Sequence, residues 1–283
     1  MRIATRRSPL ALAQAHRVAE LLAEAHPDLS VEMVEVSTTG DSDQLSSIVE
    51  LTELGAFVRA VQDAVIERRA DIAVHSLKDL PVVSPESLTL AAVPERLSPL
   101  DVLVGLDLNL LPSGAHVGTG SPRRINQLIE LRPDLRPVEL RGNVDSRLEK
   151  VASGEVAAAI LAEAGLERLG RLDSIAQRLD VSEMVPAPGQ GALAIEAIAE
   201  SDAACLVAAI DDTSLRTLVS AERLPLAETG SGCRSALGAL ASWEGGLIRM
   251  DAYVSDERGV RRALVRAETP EAVVAEARKA LEL

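Results

Sequence analysis

Two short apolar runs in this chain end in the same way. Residues 2–5 (Arg-Ile-Ala-Thr) give way to Arg6-Arg7-Ser8-Pro9, and residues 116–119 (His-Val-Gly-Thr) to Gly120-Ser121-Pro122-Arg123-Arg124. Serine ahead of proline is a strand-to-helix signal: the hydroxyl suits the N-cap, and the ring pre-sets φ for the first helical residue. Ala11, Ala15, Val18, Leu22 and Ala25 then recur at spacings of three and four, one face of a helix. Residues 31–37 (VEMVEVS) alternate as a strand and run into a polar loop, 38–47. Phe57, Val61, Ala64 and Val65 form the next helical stripe, and residues 71–75 (DIAVH) a short buried strand. The second half repeats this order: residues 123–131 read as a helix, and Glu-Val-Ala-Ala-Ala-Ile (155–160) echoes Arg-Ala-Asp-Ile-Ala-Val (69–74). Strands alternating with helices imply parallel sheets covered by helices, here in two similar α/β lobes. Residues 95–103 read as a hinge between them.

The C-terminal region changes character. Residues 237–243, 247–254 and 260–267 are strand-like, separated by Glu244-Gly245-Gly246 and Asp256-Glu257-Arg258-Gly259. A helix capped at Thr269-Pro270 follows, with Val273, Ala277 and Leu281 on one face. The expected division is a first lobe of 1–95 and 193–211, a second of 98–189, and a small antiparallel α+β domain of 213–283. With 1% aromatic residues (Phe57, Trp243, Tyr253), the core must be built from Ala, Leu, Val and Ile. The formal net charge of −14 and the missing aromatic platform argue against a nucleic-acid partner. No apolar stretch is long enough to span a membrane, and the basic N-terminus runs into an amphipathic pattern. A cytoplasmic location is expected, with two free thiols the default for Cys205 and Cys233 although a disulfide between them is conceivable, and Cys205, in an Ala-rich run, is read as core packing. No metal-ligand spacing is present among the four histidines and two cysteines.

In a chain this acidic, arginines gathered at turns need an explanation. Arg6, Arg7, Arg123 and Arg124 lie at strand-to-helix junctions, Arg141 and Arg147 flank another (Arg-Gly-Asn-Val-Asp-Ser-Arg), and Arg168 follows Gly165. In parallel α/β sheets the strand C-termini face the ligand crevice, where helix N-termini already favour anions and a guanidinium fork matches a carboxylate. The set points to a cleft for a ligand with many carboxylates; for any single arginine, a solvated pair with Glu or Asp stays open. Lys78-Asp79 follows the DIAVH strand at the same kind of edge. Asp79 suits cation stabilisation or proton shuttling, and a loop salt bridge is its plainer reading. Cys233, in Thr-Gly-Ser-Gly-Cys-Arg-Ser (229–235), suits a nucleophile or attachment point beside Arg234, or an inert thiol. Gly189-Gln190-Gly191 is a glycine turn without a phosphate-loop lysine.

These segments, in this order, resemble the porphobilinogen deaminase (hydroxymethylbilane synthase) family of tetrapyrrole biosynthesis. The likeness runs through RIATRRSPLALAQA (2–15), ADIAVHSLKDLP (70–81), GTGSPRRINQL (118–128), LRGNVDSRL (140–148), ILAEAGLERLG (160–170), PAPGQGALAIE (186–196) and GCRSALG (232–238). It implies two lobes like those of periplasmic binding proteins, plus a small domain whose cysteine, here Cys233, holds a dipyrromethane cofactor by a thioether. The implied reaction deaminates porphobilinogen to a methylene-pyrrolenine cation, adds four such units to the primer, and releases hydroxymethylbilane by hydrolysis. By the family pattern Lys78, Thr119, Ser121, Arg123 and Arg124 hold the cofactor's carboxylates. Arg6, Ser8, Arg141, Arg147 and Arg168 hold substrate or chain, with Gln14, Asn143 and Gln190 nearby and Phe57 against a ring. Asp79 contacts pyrrole N–H groups, stabilises the cation and assists proton transfer. A monomer is expected. Residues 52–59 read Thr-Glu-Leu-Gly-Ala-Phe-Val-Arg where many relatives have Gly-Gly-Lys-Gly-Leu-Phe-Val-Lys, so a lid loop there would contact substrate differently; before Cys233, Ser231 replaces the usual first glycine. The competing readings are a non-catalytic anionic solute-binding protein of the same architecture and an inactive paralogue.

Overall fold

Ser8 caps the first helix as the Ser-Pro signal predicts, its Oγ accepting the Ala11 N–H at 3.3 Å. The computed structural model describes residues 1–36, 50–228 and 236–283, the side chains of 50–57 and 225–228 apart. The chain falls into two compact units, Met1–Arg96 with Ala192–Arg216 and Leu97–Gly191 with Thr217–Leu283. It runs through β1 (Arg2–Arg6), α1 (Pro9–Ala25), β2 (Glu32–Val36), α2 (Glu50–Ile66), β3 (Ile72–Ser76) and β4 (Leu88–Ala92). The second unit begins with β5 (Asp101–Val104), β6 (His116–Gly118), α3 (Pro122–Leu131), β7 (Arg136–Val138) and α4 (Val144–Ala152). It continues through β8 (Ala158–Ala162), α5 (Glu163–Arg168) and β9 (Ile175–Arg178). The chain then returns to the first unit with β10 (Leu193–Ile198), α6 (Asp202–Val207) and the start of α7 (Thr213–Glu228). It ends in the second unit with β11 (Ala236–Glu244), β12 (Leu247–Asp256), β13 (Gly259–Ala267) and α8 (Pro270–Leu281).

In the first unit the strand order is β2-β1-β3-β10-β4, with β1 parallel to β2 and β3, and β10 antiparallel to its neighbours. Alternation along the strands sends side chains to opposite faces. Ile3, Ile72 and Val74 meet Ala15, Val18 and Leu22 of α1, while Ala4 and Ala73 meet Val61, Ala64 and Val65 of α2. The α1 stripe differs from expectation at two positions: Ala25 is exposed, and Gln14, a polar residue, is buried on the inner face. Gln14 is accommodated because its amide donates to Ser76 Oγ at 2.6 Å. Cys205, expected in the core, is exposed. On the short helix α6, Ala203, Ala204 and Val207 turn toward the sheet, and Cys205 lies off that face. Residues 52–59, read as a loop, have helical backbone within α2.

The second unit repeats the plan. Its order is β7-β6-β8-β5-β9, with β6 parallel to β7 and β8, and β5 antiparallel to β8 and β9. The echo between 69–74 and 155–160 therefore has a structural basis, since β3 and β8 occupy the same place in their sheets. The antiparallel strand differs in origin: β10 returns late in the chain, whereas β5 enters first. Ser121 stands at the N-cap of α3 but makes no side-chain cap; the neighbouring Thr119 Oγ1 takes the Ser121 N–H at 3.3 Å. The expected architecture is borne out, with two α/β lobes and a smaller sheet β11-β12-β13 packed by α8 and α7.

Within the second unit, α3 and α7 fasten that smaller sheet to the lobe. Tyr253 of β12, fully buried, donates to Glu130 Oε1 at 2.7 Å, and Asn126 donates to Ser255 Oγ at 3.0 Å. Gly238 leaves room for the Val185 carbonyl, which a Cβ there would meet at 2.7 Å. Glu222 of α7 is buried and accepts from the backbone N–H of Gly189 at 2.7 Å and of Ala241 at 2.8 Å. Replacing Glu222 by Leu strips two buried amides of their acceptor and should cost about 1–3 kcal/mol for each. A denaturant midpoint unchanged from wild type would show that those amides do not depend on Glu222.

Candidate functional site at the strand carboxyl ends

Parallel strands finish on one edge of their sheet, so the residues that follow them collect there. In the first lobe β1 ends at Arg6, with Ser8 two residues on, and β3 ends at Ser76. One turn of 3-10 helix, Leu77–Asp79, follows directly. Leu77 and Leu80 are buried, and the Leu77 N–H donates to the Ala192 carbonyl at 3.0 Å, so Lys78 and Asp79 stand half-buried between two apolar anchors. Arg6, Ser8, Gln14, Lys78 and Asp79 thus share one edge of the first sheet. The Phe57 side chain lies outside the described residues.

Behind that edge is a carboxylate that sequence reasoning missed. Glu196 of β10 has no exposed surface and accepts from Gln62 Nε2 at 2.9 Å and Ser84 Oγ at 2.7 Å. His75 Nε2 stands 3.2 Å from it, off the hydrogen-bonding direction. Burial alone would raise the Glu196 pKa; contact with His75, then Ser84 and Gln62, outweighs burial and holds it below the usual carboxylate range.

The second lobe has the same arrangement. Thr119, Ser121, Arg123 and Arg124 follow β6; Arg141, Asn143 and Arg147 follow β7; Arg168 lies in the helix after β8. Arg123 and Arg124 are only 5% and 6% exposed and converge on fully buried Asp101, the first residue of β5. Arg123 Nη1 donates to Asp101 Oδ2 at 2.7 Å and to the Val185 carbonyl at 2.7 Å. Arg124 grips Oδ1 through Nε at 3.0 Å and Nη2 at 2.7 Å, and reaches the Ile160 carbonyl at 2.9 Å. Gln190, also fully buried, donates to Asp101 Oδ1 at 3.0 Å and to the Pro99 carbonyl at 2.7 Å. Burial would raise the Asp101 pKa, but the two guanidiniums, with hydrogen bonds from Arg123 and Gln190, hold it far below the usual range. Burial lowers the Arg123 pKa, and Asp101 offsets part of that.

Arg168 Nη2 donates to the Gly191 carbonyl at 2.8 Å, and Arg141 forks onto Glu139 at 2.8 and 3.0 Å. Asn143 caps α4, accepting the Ser146 N–H at 2.9 Å. Cys233 and its glycine-rich neighbours lie outside the described residues. Two guanidiniums on one carboxylate leave the Asp101 triad with a surplus positive charge, and with the hydroxyls of Thr119 and Ser121 nearby this is a donor set suited to ligand carboxylates. Asp101 and Glu196 were legible in principle: each is a lone carboxylate in an otherwise apolar strand, DVLV and LAIEAI, and a buried charge of that kind needs partners. Among the described residues no cluster of His, Cys, Asp and Glu is arranged to hold a metal ion, and no helix is long and apolar enough to cross a membrane.

The profile described as "Porphobilinogen deaminase, dipyromethane cofactor binding domain" matches residues 1–205. The porphobilinogen deaminase of Thermobifida fusca is 45% identical over 281 residues, covering 97% of this chain and 84% of that protein. Those of a Roseiflexus species and of Stenotrophomonas maltophilia are 44% and 42% identical, over 92% and 94% of this chain and 88% and 90% of theirs. With the motif-bearing residues placed at the carboxyl edges of two like sheets, these matches settle the family: the chain belongs to the porphobilinogen deaminases.

Proposed function

We propose that this chain is a hydroxymethylbilane synthase, a transferase that condenses four porphobilinogen molecules head to tail with release of ammonia. The observation that carries the reading is Asp79, which follows Lys78 directly after β3 on the carboxyl edge where β1 ends at Arg6, in a chain of this family. Cationic and hydroxyl donors at the strand ends suit substrates whose every ring bears an acetate and a propionate. Dipyrromethane, when bound, supplies the primer onto which units are added, and Cys233 is its proposed thioether anchor. Lys78, Thr119, Ser121, Arg123 and Arg124 are the proposed partners of its carboxylates. For Arg123 and Arg124 the Asp101 pairing fixes the guanidiniums in place while leaving net positive charge for an incoming anion.

Arg6, Ser8, Arg141, Arg147 and Arg168 are proposed to bind substrate and growing chain, with Gln14, Asn143 and Gln190 supporting them and Phe57 stacking on a ring. Asp79 is the proposed catalytic residue. As a carboxylate it accepts pyrrole N–H groups, stabilises the cation left when the aminomethyl C–N bond of porphobilinogen breaks, and takes up or returns a proton as the new C–C bond forms. The smaller α+β region, 213–283, is proposed as the attachment domain, and the working form as a cytoplasmic monomer. The solute-binding reading requires neither Cys233 nor Asp79, so the same experiments separate it.

An intact-mass spectrum of the purified protein should exceed the sequence mass by two condensed pyrroles, with a positive Ehrlich reaction, and Cys233→Ser should abolish both. An active protein of unmodified mass would exclude a covalent primer. Asp79→Ala should keep the fold and lose about 10²–10⁴ of turnover, the usual share of a positioned acid or base; full turnover removes Asp79 from the mechanism. Asp101→Asn should lose about 3–5 kcal/mol of stability at neutral pH, because it leaves two buried guanidiniums without their counter-charge. The folded pKa of Asp101 is depressed, so its contribution is complete above the unfolded value of 3.8 and drains away as pH falls below it. The gap between wild type and Asp101→Asn, read as denaturant midpoint against pH, should therefore narrow on acidification; a gap that does not narrow contradicts the ionised triad.

A further inference from the structure

Glu196 faces no solvent and has no part in the reaction as proposed. It pairs with Ala73 of β3 and Leu90 of β4 in the middle of the first sheet. A carboxylate withdrawn from water costs several kcal/mol unless its partners compensate, and a packed apolar side chain often serves a sheet as well or better. What Glu196 does that a leucine would not is hold separate pieces of chain at once. Its oxygens take both hydrogen bonds of Gln62 from α2, at 2.9 and 3.2 Å, and one from Ser84 at 2.7 Å, with His75 of β3 at 3.2 Å. His75 and Ser84 bracket residues 76–83, the segment that carries Lys78 and Asp79.

The near end of that segment has its own anchors in Leu77, Leu80 and the Gln14–Ser76 bond. Its far end is different: Pro81, Val82 and Val83 lie on the surface, Val83 81% exposed, and Ser84 is where the chain turns back onto Glu196. We propose that Glu196 is a positioning residue, which by binding Ser84 beside its contact with His75 closes the 76–83 segment and steadies the turn that carries Asp79. The proposal rests on the assignment of Asp79 as the catalytic acid.

The test uses the full-length, cofactor-loaded protein with Ser84→Ala, which removes one hydrogen bond at a half-buried hydroxyl, and Ser84→Thr, which keeps it. Ser84→Ala should lower kcat by about five- to tenfold, the size of one lost hydrogen bond, with KM for porphobilinogen within about twofold of wild type. Amide hydrogen exchange should accelerate in 76–83 and not in α1 or the second lobe, and Ser84→Thr should restore both kcat and protection. Wild-type kcat and exchange in Ser84→Ala would overturn the proposal. So would a general fall in thermal stability with kcat and KM both impaired, which marks a packing role. Asp79→Asn is measured alongside. If it turns over at the wild-type rate, the assignment of Asp79 has failed and the proposal falls with it; if it is inactive while Ser84→Ala is unaffected, the assignment stands and only the positioning role is refuted.

Discussion

A carboxylate removed from water must be met by donors, and in each lobe the antiparallel strand brings such a group into the sheet: Asp101 on β5 and Glu196 on β10. Much of the site geometry depends on these two groups. Asp101 takes Arg123 and Arg124 from the first turn of α3 and Gln190 from the glycine turn, so one side chain sets the positions of three polar residues. Glu196 does the same for α2, the end of β3 and the return of the following loop. Neither group is a bulk source of stability, since a buried carboxylate met by its partners gains little over packed apolar groups. Their consequence is geometric: they leave few alternative positions for the side chains they hold.

The duplicated topology explains why cations gather where they do. Both sheets place a parallel pair on either side of a central strand, β2 and β3 around β1, β7 and β8 around β6. Every one of those strands ends on the same edge as its neighbours, where Arg6 closes β1, Lys78, Asp79, Thr119 and Arg141 follow the strands, and Arg147 lies in the first turn of α4. A chain of net charge −14 can present local positive potential only by such clustering, with its acidic residues spent elsewhere on pairs such as Arg17–Glu95 and Arg216–Asp211. The smaller sheet is held to the second lobe by polar contacts in the same manner, through Tyr253–Glu130 and the two amides on Glu222. Its interior against α7 and α8 holds no aromatic side chain among the described residues, in keeping with a composition nearly without them, while Tyr253 lies on the other face with Val185 and Ala236.

Local sequence determined the elements and where the candidate site residues fall along them, because strand-to-helix turns are short-range events. Ser8-Pro9, Thr269-Pro270 and the apolar spacing of α1 and α8 need only a few neighbouring residues to act, and segments such as HSLKDLP and GTGSPRR set charged and hydroxyl residues just past the strand ends. Tertiary structure decided what those residues face. Nothing local distinguishes Ser8, which caps its helix, from Ser121, which does not, or predicts that Cys205 turns outward while Gln14 turns inward. Nor does spacing reveal that Asp101 meets two arginines more than twenty positions away, or that Glu196 meets Ser84 across 112. Those are long-range contacts, fixed only when the sheets assemble and bury the groups that then require each other.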